Sequence, residues 1–186
     1  EGQAIDLATR IDEVTPWQAQ VTALAISRWK TGRLASLAAW CGAHAAGGDP
    51  QTLKAVAAFG CRVGICLQMK NDLDELRELL SGSDRCDDLR NRRVTWPWAW
   101  AASELSPRQF AAWQRRLRRC VAEPAAFRPL AKDLLAATHS RAAAAINTRL
   151  DRAIDRLTAA REAGPLAAVC DALRIAIEPT KAEALS

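Results

Sequence analysis

The chain has 186 residues, 49% hydrophobic and 25% charged, with no tyrosine: enough for one domain with a core of its own, and an ordinary balance for a globular protein. Its formal net charge of +5 suits an anionic partner such as phosphate, nucleic acid or a membrane surface, or is simply an arginine-rich surface. Six cysteines form no C-x-x-C pair and have only two histidines for company, which argues against a zinc site. Reduced thiols in a cytoplasmic protein are expected, and neither an apolar run of membrane-spanning length nor a signal peptide is evident.

Alanine, leucine and arginine dominate, and strand-type runs of Val, Ile, Thr and Tyr are missing, so the expected class is all-α. The chain opens at Glu1 directly into a helical pattern, as a piece of something longer would. Thr15-Pro16-Trp17-Gln18 and Ser106-Pro107-Arg108-Gln109 each supply a capping hydroxyl, a proline at the first helical position and a glutamine at the third. Asp49-Pro50 and Thr95-Trp96-Pro97 are similar starts, and Pro124 and Pro165 are candidates for two more. Glycines 42, 47, 48, 82 and 164 mark ends. The predicted helices are 1–13, 16–29, 33–46, 50–79, 87–103, 107–121, 124–138, 141–163 and 165–177, joined by short loops into a mostly antiparallel bundle.

The segment 50–79 carries the most information. Leu53, Val56, Gly60, Val63 and Leu67 make an apolar or small stripe at helical spacing. Gln68, Asn71, Asp72 and Glu75 follow at i, i+3, i+4 and i+7 and border that stripe, which turns the carboxylates inward, where cations or a metal must compensate them. Asp72 and Glu75, one turn apart, suit Mg²⁺, which takes one or two carboxylates together with substrate phosphates and water. The competing reading is an acidic last turn in solvent, which the helix dipole disfavours. Asp74 points about 100° away from that face.

Lys30-Thr31-Gly32 places a point charge and a hydroxyl at a helix end, fit to meet a phosphate, though an ordinary basic last turn with a glycine cap looks the same. Gln3 and Asp6 stand one turn apart. The charged stretch Asp87–Arg93 leads into Thr95-Trp96-Pro97, and Arg85, Arg92 and Arg93 could neutralise a polyanion there. Trp96 and Trp100 share a helical face suited to the core. Arg115, Arg116, Arg118 and Arg119 form a basic cluster that reads as a solvated face or as a contact for a membrane or an anionic acceptor.

In this order the pieces resemble the trans-isoprenyl diphosphate synthases (polyprenyl synthetases). They are Gly2-Gln3…Asp6, Lys30-Thr31-Gly32, Phe59-Gly60…Gly64…Gln68-Met69-Lys70-Asn71-Asp72-Leu73-Asp74-Glu75, and Arg93-Val94-Thr95-Trp96-Pro97. The resemblance covers about the first 100 residues and implies the C-terminal portion of a single all-α isoprenoid synthase domain around a central cavity, with the N-terminal helices missing. It implies a prenyltransferase that moves an allylic prenyl group from its diphosphate to an acceptor with Mg²⁺. Carried over residue by residue, Asn71, Asp72 and Glu75 would hold the metal, and Lys30, Thr31 and Gln68 would be catalytic. Gln3, Asp6, Lys30, Arg85 and Arg93 would bind substrate.

Asn71 and Glu75 stand where the family has aspartates, and the family's first aspartate-rich motif is absent. The motif Asn-Asp-x-x-Glu is therefore a variant whose metal binding should be weaker, in a chain that could be inactive alone. The acceptor is expected to be isopentenyl diphosphate or something atypical, such as a phosphoglycolipid, and a homodimer or heteromer is expected. Two rival readings are a non-catalytic regulatory subunit of a heteromeric synthase and a basic helical nucleic-acid module. For the second, stacking platforms and a recognition helix are not evident, so no nucleic acid is expected as a partner.

Overall fold

A computed structural model of the chain describes residues 1–84, 86–159 and 167–177, and those residues are helical with no strand among them. The helices are α1 (Gly2–Ala8), α2 (Pro16–Ser27), α3 (Arg33–Ala45), α4 (Pro50–Leu80) and α5 (Asp87–Arg90). They continue with α6 (Trp96–Glu104), α7 (Pro107–Ala122), α8 (Phe127–Thr158) and α9 (Ala167–Ile177).

Both capping boxes form as the sequence predicts. Thr15 Oγ1 accepts the Gln18 amide while Gln18 Oε1 accepts the Thr15 amide, and Ser106 and Gln109 repeat the exchange. Asp49 caps α4 by accepting from the amides of Gln51 and Thr52. These contacts satisfy orphan donors in the first turn and fix where each helix begins.

Four boundaries differ from the sequence reading. The first helix stops at Ala8, and Ile11–Glu13 form a separate 3₁₀ turn. Between Ser27 and Arg33 the chain does not break: Arg28–Gly32 is a π-helical turn that joins α2 to α3. The predicted helix 87–103 is two, because Arg92 takes a left-handed φ of 53° and Thr95 is extended. Conversely, the predicted helices 124–138 and 141–163 are one helix, α8, running to Thr158. The His139-Ser140 step holds neither glycine nor proline and nothing interrupts the backbone there.

Helix α4 is the axis of the fold, with α3 against one side and α8 against the other. It is long and apolar enough to cross a membrane by length and composition, contrary to the sequence reading, although it is packed between those neighbours and carries the polar cluster described below. The α3–α4 packing is close because glycines line it. A Cβ on Gly64 would lie 2.9 Å from the Ala35 Cβ, the Gly32 Cα and the Thr31 carbonyl oxygen. The core below is formed by Met69, Leu73, Leu76, Trp98, Phe110, Phe127, Leu130, Leu134 and Ile146, all buried. Trp98 meets Phe110 edge-on at 6.2 Å between centroids. Burying side chains of this size stabilises by about 1.5–3 kcal/mol each before entropy is counted. The six cysteines are unpaired, and burial pushes the Cys66 thiol up to about 11, so it stays a protonated packing group.

Candidate functional site

The site lies where the C-terminal third of α4 faces α1, the π turn and the start of α6. The π turn inserts one extra residue into the run from α2 to α3, and such turns re-aim side chains. Here they are Lys30 and Thr31. Thr31 Oγ1 donates to Gln68 Oε1 at 2.6 Å, and Gln68 Nε2 donates to Asp72 Oδ1 at 2.7 Å. The Trp96 amide, at the first position of α6, donates to Asp72 Oδ2 at 2.9 Å. The Trp96 indole N–H donates to Ser27 Oγ at 2.7 Å, and that hydroxyl donates on to the Ala23 carbonyl. One relay of hydrogen bonds thus ties the π turn, α4 and α6 together through Asp72.

A second arm holds Lys30. Its Nζ is 2.9 Å from Asp6 Oδ2, in a pair whose carboxylate is mostly buried and whose ammonium is 39% exposed. Asp6 reaches that place because α1 lies directly on the π turn: a Cβ on Gly2 would sit 2.5 Å from the Lys30 backbone nitrogen. Only glycine permits that approach. Arg93 closes the arm by donating to the Asp6 carbonyl.

The electrostatics are lopsided toward negative charge. Burial pushes the Asp72 carboxyl up to about 7. The hydrogen bonds from the Trp96 amide and Gln68 oppose that rise, the charge of Glu75 adds to it, and Lys30 counters it. Asp88 is also held well above the ordinary carboxylate range, first by burial and then by Glu75, Asp72 and Asp6. Its amide donates to Glu75 Oε1 at 2.9 Å. Four carboxylates therefore feel one another here. Two such groups in low dielectric favour sharing protons or recruiting a cation.

Most of the residues singled out in the sequence come together: Asp6, Lys30, Thr31, Gln68, Asp72, Glu75 and Arg93. Three do not join them. Gln3 shares a helix with Asp6 but is exposed, because the buried face of α1 is the one carrying Gly2 and Asp6. Asn71 is exposed on the next face of α4, on an outer acidic groove with Asp74, Glu75, Glu78 and Asp87, and has no place beside Asp72. Arg85 lies outside the described residues. One member was missed. Asp88 read as part of a charged loop, and the signal available was its place just before Leu89, whose burial turns the short helix α5 inward.

Among the described residues, no three His, Cys, Asp or Glu side chains converge closely enough to hold a metal ion by themselves. The donor set is nevertheless of the right kind for Mg²⁺: carboxylate oxygens only, each with a lone pair beyond its present hydrogen bond. Asp72 and Glu75 fit that role if phosphate and water complete the shell. Asn71 does not. The basic cluster of α7 disperses in the structure, since Arg116 pairs with Asp133 and Arg118 with the buried Asp12.

A family model described as Polyprenyl synthetase matches residues 1–134. Over 94 residues, 48% of this chain, the sequence is 31% identical to (2E,6E)-farnesyl diphosphate synthases of Mycobacterium tuberculosis and Mycobacterium bovis, of which that stretch is 26%. The fold is similar to a decaprenyl diphosphate synthase from Rhodobacter capsulatus (TM-score 0.75, 22% identity, 95% of this chain and 54% of that one). It is also similar to a geranylgeranyl pyrophosphate synthase from Lactobacillus brevis (TM-score 0.69, 18% identity, the same coverages). The chain thus spans about half the length of the solved structures it matches.

Proposed function

Because the chain belongs to the polyprenyl synthetase family, we propose that it supplies the diphosphate-gripping half of a prenyltransferase site. The reaction in this reading is transfer of an allylic prenyl group from its diphosphate to an acceptor, either isopentenyl diphosphate or an atypical one such as a phosphoglycolipid. The observation that carries the reading is the relay Thr31–Gln68–Asp72, with Lys30 on the adjoining residue and Arg93 behind its partner Asp6.

In this reading each residue has a task. Lys30, the half-exposed cation, swings from Asp6 to the phosphate oxygens. Asp6 holds it in reach meanwhile. Gln68 is fixed at both ends, by Thr31 and Asp72, and presents its amide dipole to the reacting carbon. Asp72 and Glu75 would hold Mg²⁺, which when bound stabilises charge growing on the departing diphosphate. Asp72 would keep its tether to the Trp96 amide in that role. Arg93 backs the phosphate side. Assembly as a homodimer or with a companion chain, in the cytoplasm, belongs to the same reading.

Calorimetric titration of the purified chain with inorganic diphosphate and Mg²⁺ tests it. Saturable binding that K30A weakens and D72N strips of its Mg²⁺ dependence supports the proposal. Binding indifferent to both substitutions overturns it.

A second reading has an observation behind it. Asn71 points into the outer groove, and Glu75 is engaged by the Asp88 amide, which suits a non-catalytic subunit that has given up metal ligands. Turnover by the full-length gene product alone, against turnover with a candidate partner, separates the two.

A further inference from the structure

On the side of Trp96 away from the acidic cluster, α2, α4, α6 and α8 enclose a groove of about 740 Å³. That is within the roughly 300–1,000 Å³ of small-molecule sites. Its floor is apolar: Val21, Leu24, Met69, Trp96, Ala99 and Trp100. Its rim is arginine. Arg62 comes from α4, and Arg141, Arg149, Arg152 and Arg156 come from α8. No Asp or Glu is among the described residues that line it.

The four arginines of α8 recur at spacings of eight, three and four residues, so they stand on one face of the helix. Like charges three and four residues apart repel one another along the helix. Arg141 is neutralised by Glu104 at 2.8 Å. Arg149 lies over the Trp96 ring at 5.7 Å from its centroid. Arg152 and Arg156 have no ion-pair partner among the described residues. Ser103 and Thr148 add hydroxyls beside this rim.

A basic edge over an aromatic and aliphatic floor is complementary to an amphiphile with an anionic head. Guanidinium forks match phosphate oxygens two at a time. The floor accepts an alkyl or isoprenoid chain. We propose that this groove is a second binding site, for a single-chain amphiphile with a phosphate or diphosphate head, separate from the Lys30–Asp72 site and independent of Mg²⁺. The two sites share one wall: the Trp96 ring faces the groove while its amide holds Asp72. The inference does not require the transfer reaction proposed above.

The test is calorimetry on the full chain in EDTA, with dodecyl phosphate below its micelle concentration, and with dodecanol and inorganic phosphate as comparisons. Dodecyl phosphate should bind with one-site stoichiometry and at least about tenfold more tightly than either comparison, because it alone combines the charge-assisted contact with the apolar one. R152Q/R156Q, both on exposed positions, should lose at least about tenfold of that affinity while leaving Mg²⁺-dependent diphosphate binding unchanged. K30A should do the reverse. Equal affinity for dodecanol, or binding unaffected by R152Q/R156Q, would overturn the proposal. So would retention on anionic phospholipid vesicles without binding of the monomeric amphiphile, since the arginines would then form a membrane patch rather than a site.

Discussion

Asp72 is the residue on which the site turns, and its protonation has a consequence for stability. An aspartate of the unfolded chain titrates near 3.8, whereas in the fold Asp72 is pushed up to about 7. Between those values the folded state binds the extra proton, so this contribution is fully present below about pH 4 and is lost as pH rises through about 7. Asp88 acts in the same direction. Many groups titrate over this range, so the informative quantity is a difference. The melting temperature of D72N minus that of the native chain, both metal-free, should grow from about pH 4 to about pH 8. A constant or shrinking difference would mean that Asp72 ionises freely. Lys30 belongs at the same scale. Its removal strands the mostly buried Asp6 carboxylate, so K30A should lower the melting temperature as well as weaken Mg²⁺-diphosphate binding at least about tenfold. Calorimetry and thermal melts on one preparation check both halves of that statement.

Among the elements, the π turn and its glycines decide whether Thr31 meets Gln68. Gly64 allows the Thr31 carbonyl and the Ala35 methyl to rest on α4. G64A would put a methyl 2.9 Å from backbone and side-chain atoms of α3 and the π turn. Overpacking of this kind costs about 1–3 kcal/mol, and a correspondingly lower urea midpoint should come with weakened diphosphate binding. An unchanged midpoint would show that the helices are not in contact there. The stretch between α5 and α6 balances two effects. Arg92 is held at φ 53°, which costs a non-glycine residue about 1–2 kcal/mol. It also pairs at 2.8 Å with Asp12, whose side chain is only 2% exposed and has one oxygen with no hydrogen-bond partner. Stripping a buried charge of a partner costs about 3–5 kcal/mol, although Arg118 remains at 3.3 Å. R92G should therefore destabilise despite relieving the backbone, and D12N/R92G should recover part of the loss in the same denaturation assay. Much of this level was legible. Proline after a capping side chain placed the starts of α2, α4 and α7, whereas the start of α6 was marked by Thr95-Trp96-Pro97 but run into the helix before it. The π turn was not, because Lys30-Thr31-Gly32 is also what an ordinary helix end looks like. The left-handed Arg92 gave no glycine to announce it.

For the molecule as a whole, the all-α class and the inward turn of Asp72 could be read from periodicity. Asn71 could not be separated from Asp72 and Glu75 by spacing alone, since a wheel of about 100° per residue leaves its side of the stripe undecided until α8 and α6 are placed. Asp88 was hidden for a related reason: it reaches the cluster through a tertiary turn, not through helical spacing. Apolar side chains stand exposed on α2 and α3, among them Trp17, Leu34, Leu37 and Trp40. Exposed apolar side chains are what an association surface presents, and assembly is part of the proposed reading. Light scattering on the full-length protein should give an assembled species, and L34E/L37E should shift it toward the monomer without changing the helical circular dichroism. A monomer at every concentration would remove assembly from the account. The most direct test is diffraction from the full-length protein grown with Mn²⁺, in place of Mg²⁺, and an allylic thiodiphosphate. The account predicts anomalous density for the metal against Asp72, with the diphosphate within hydrogen-bond reach of Lys30. Metal and diphosphate bound together elsewhere, with Lys30 still paired to Asp6, would contradict it.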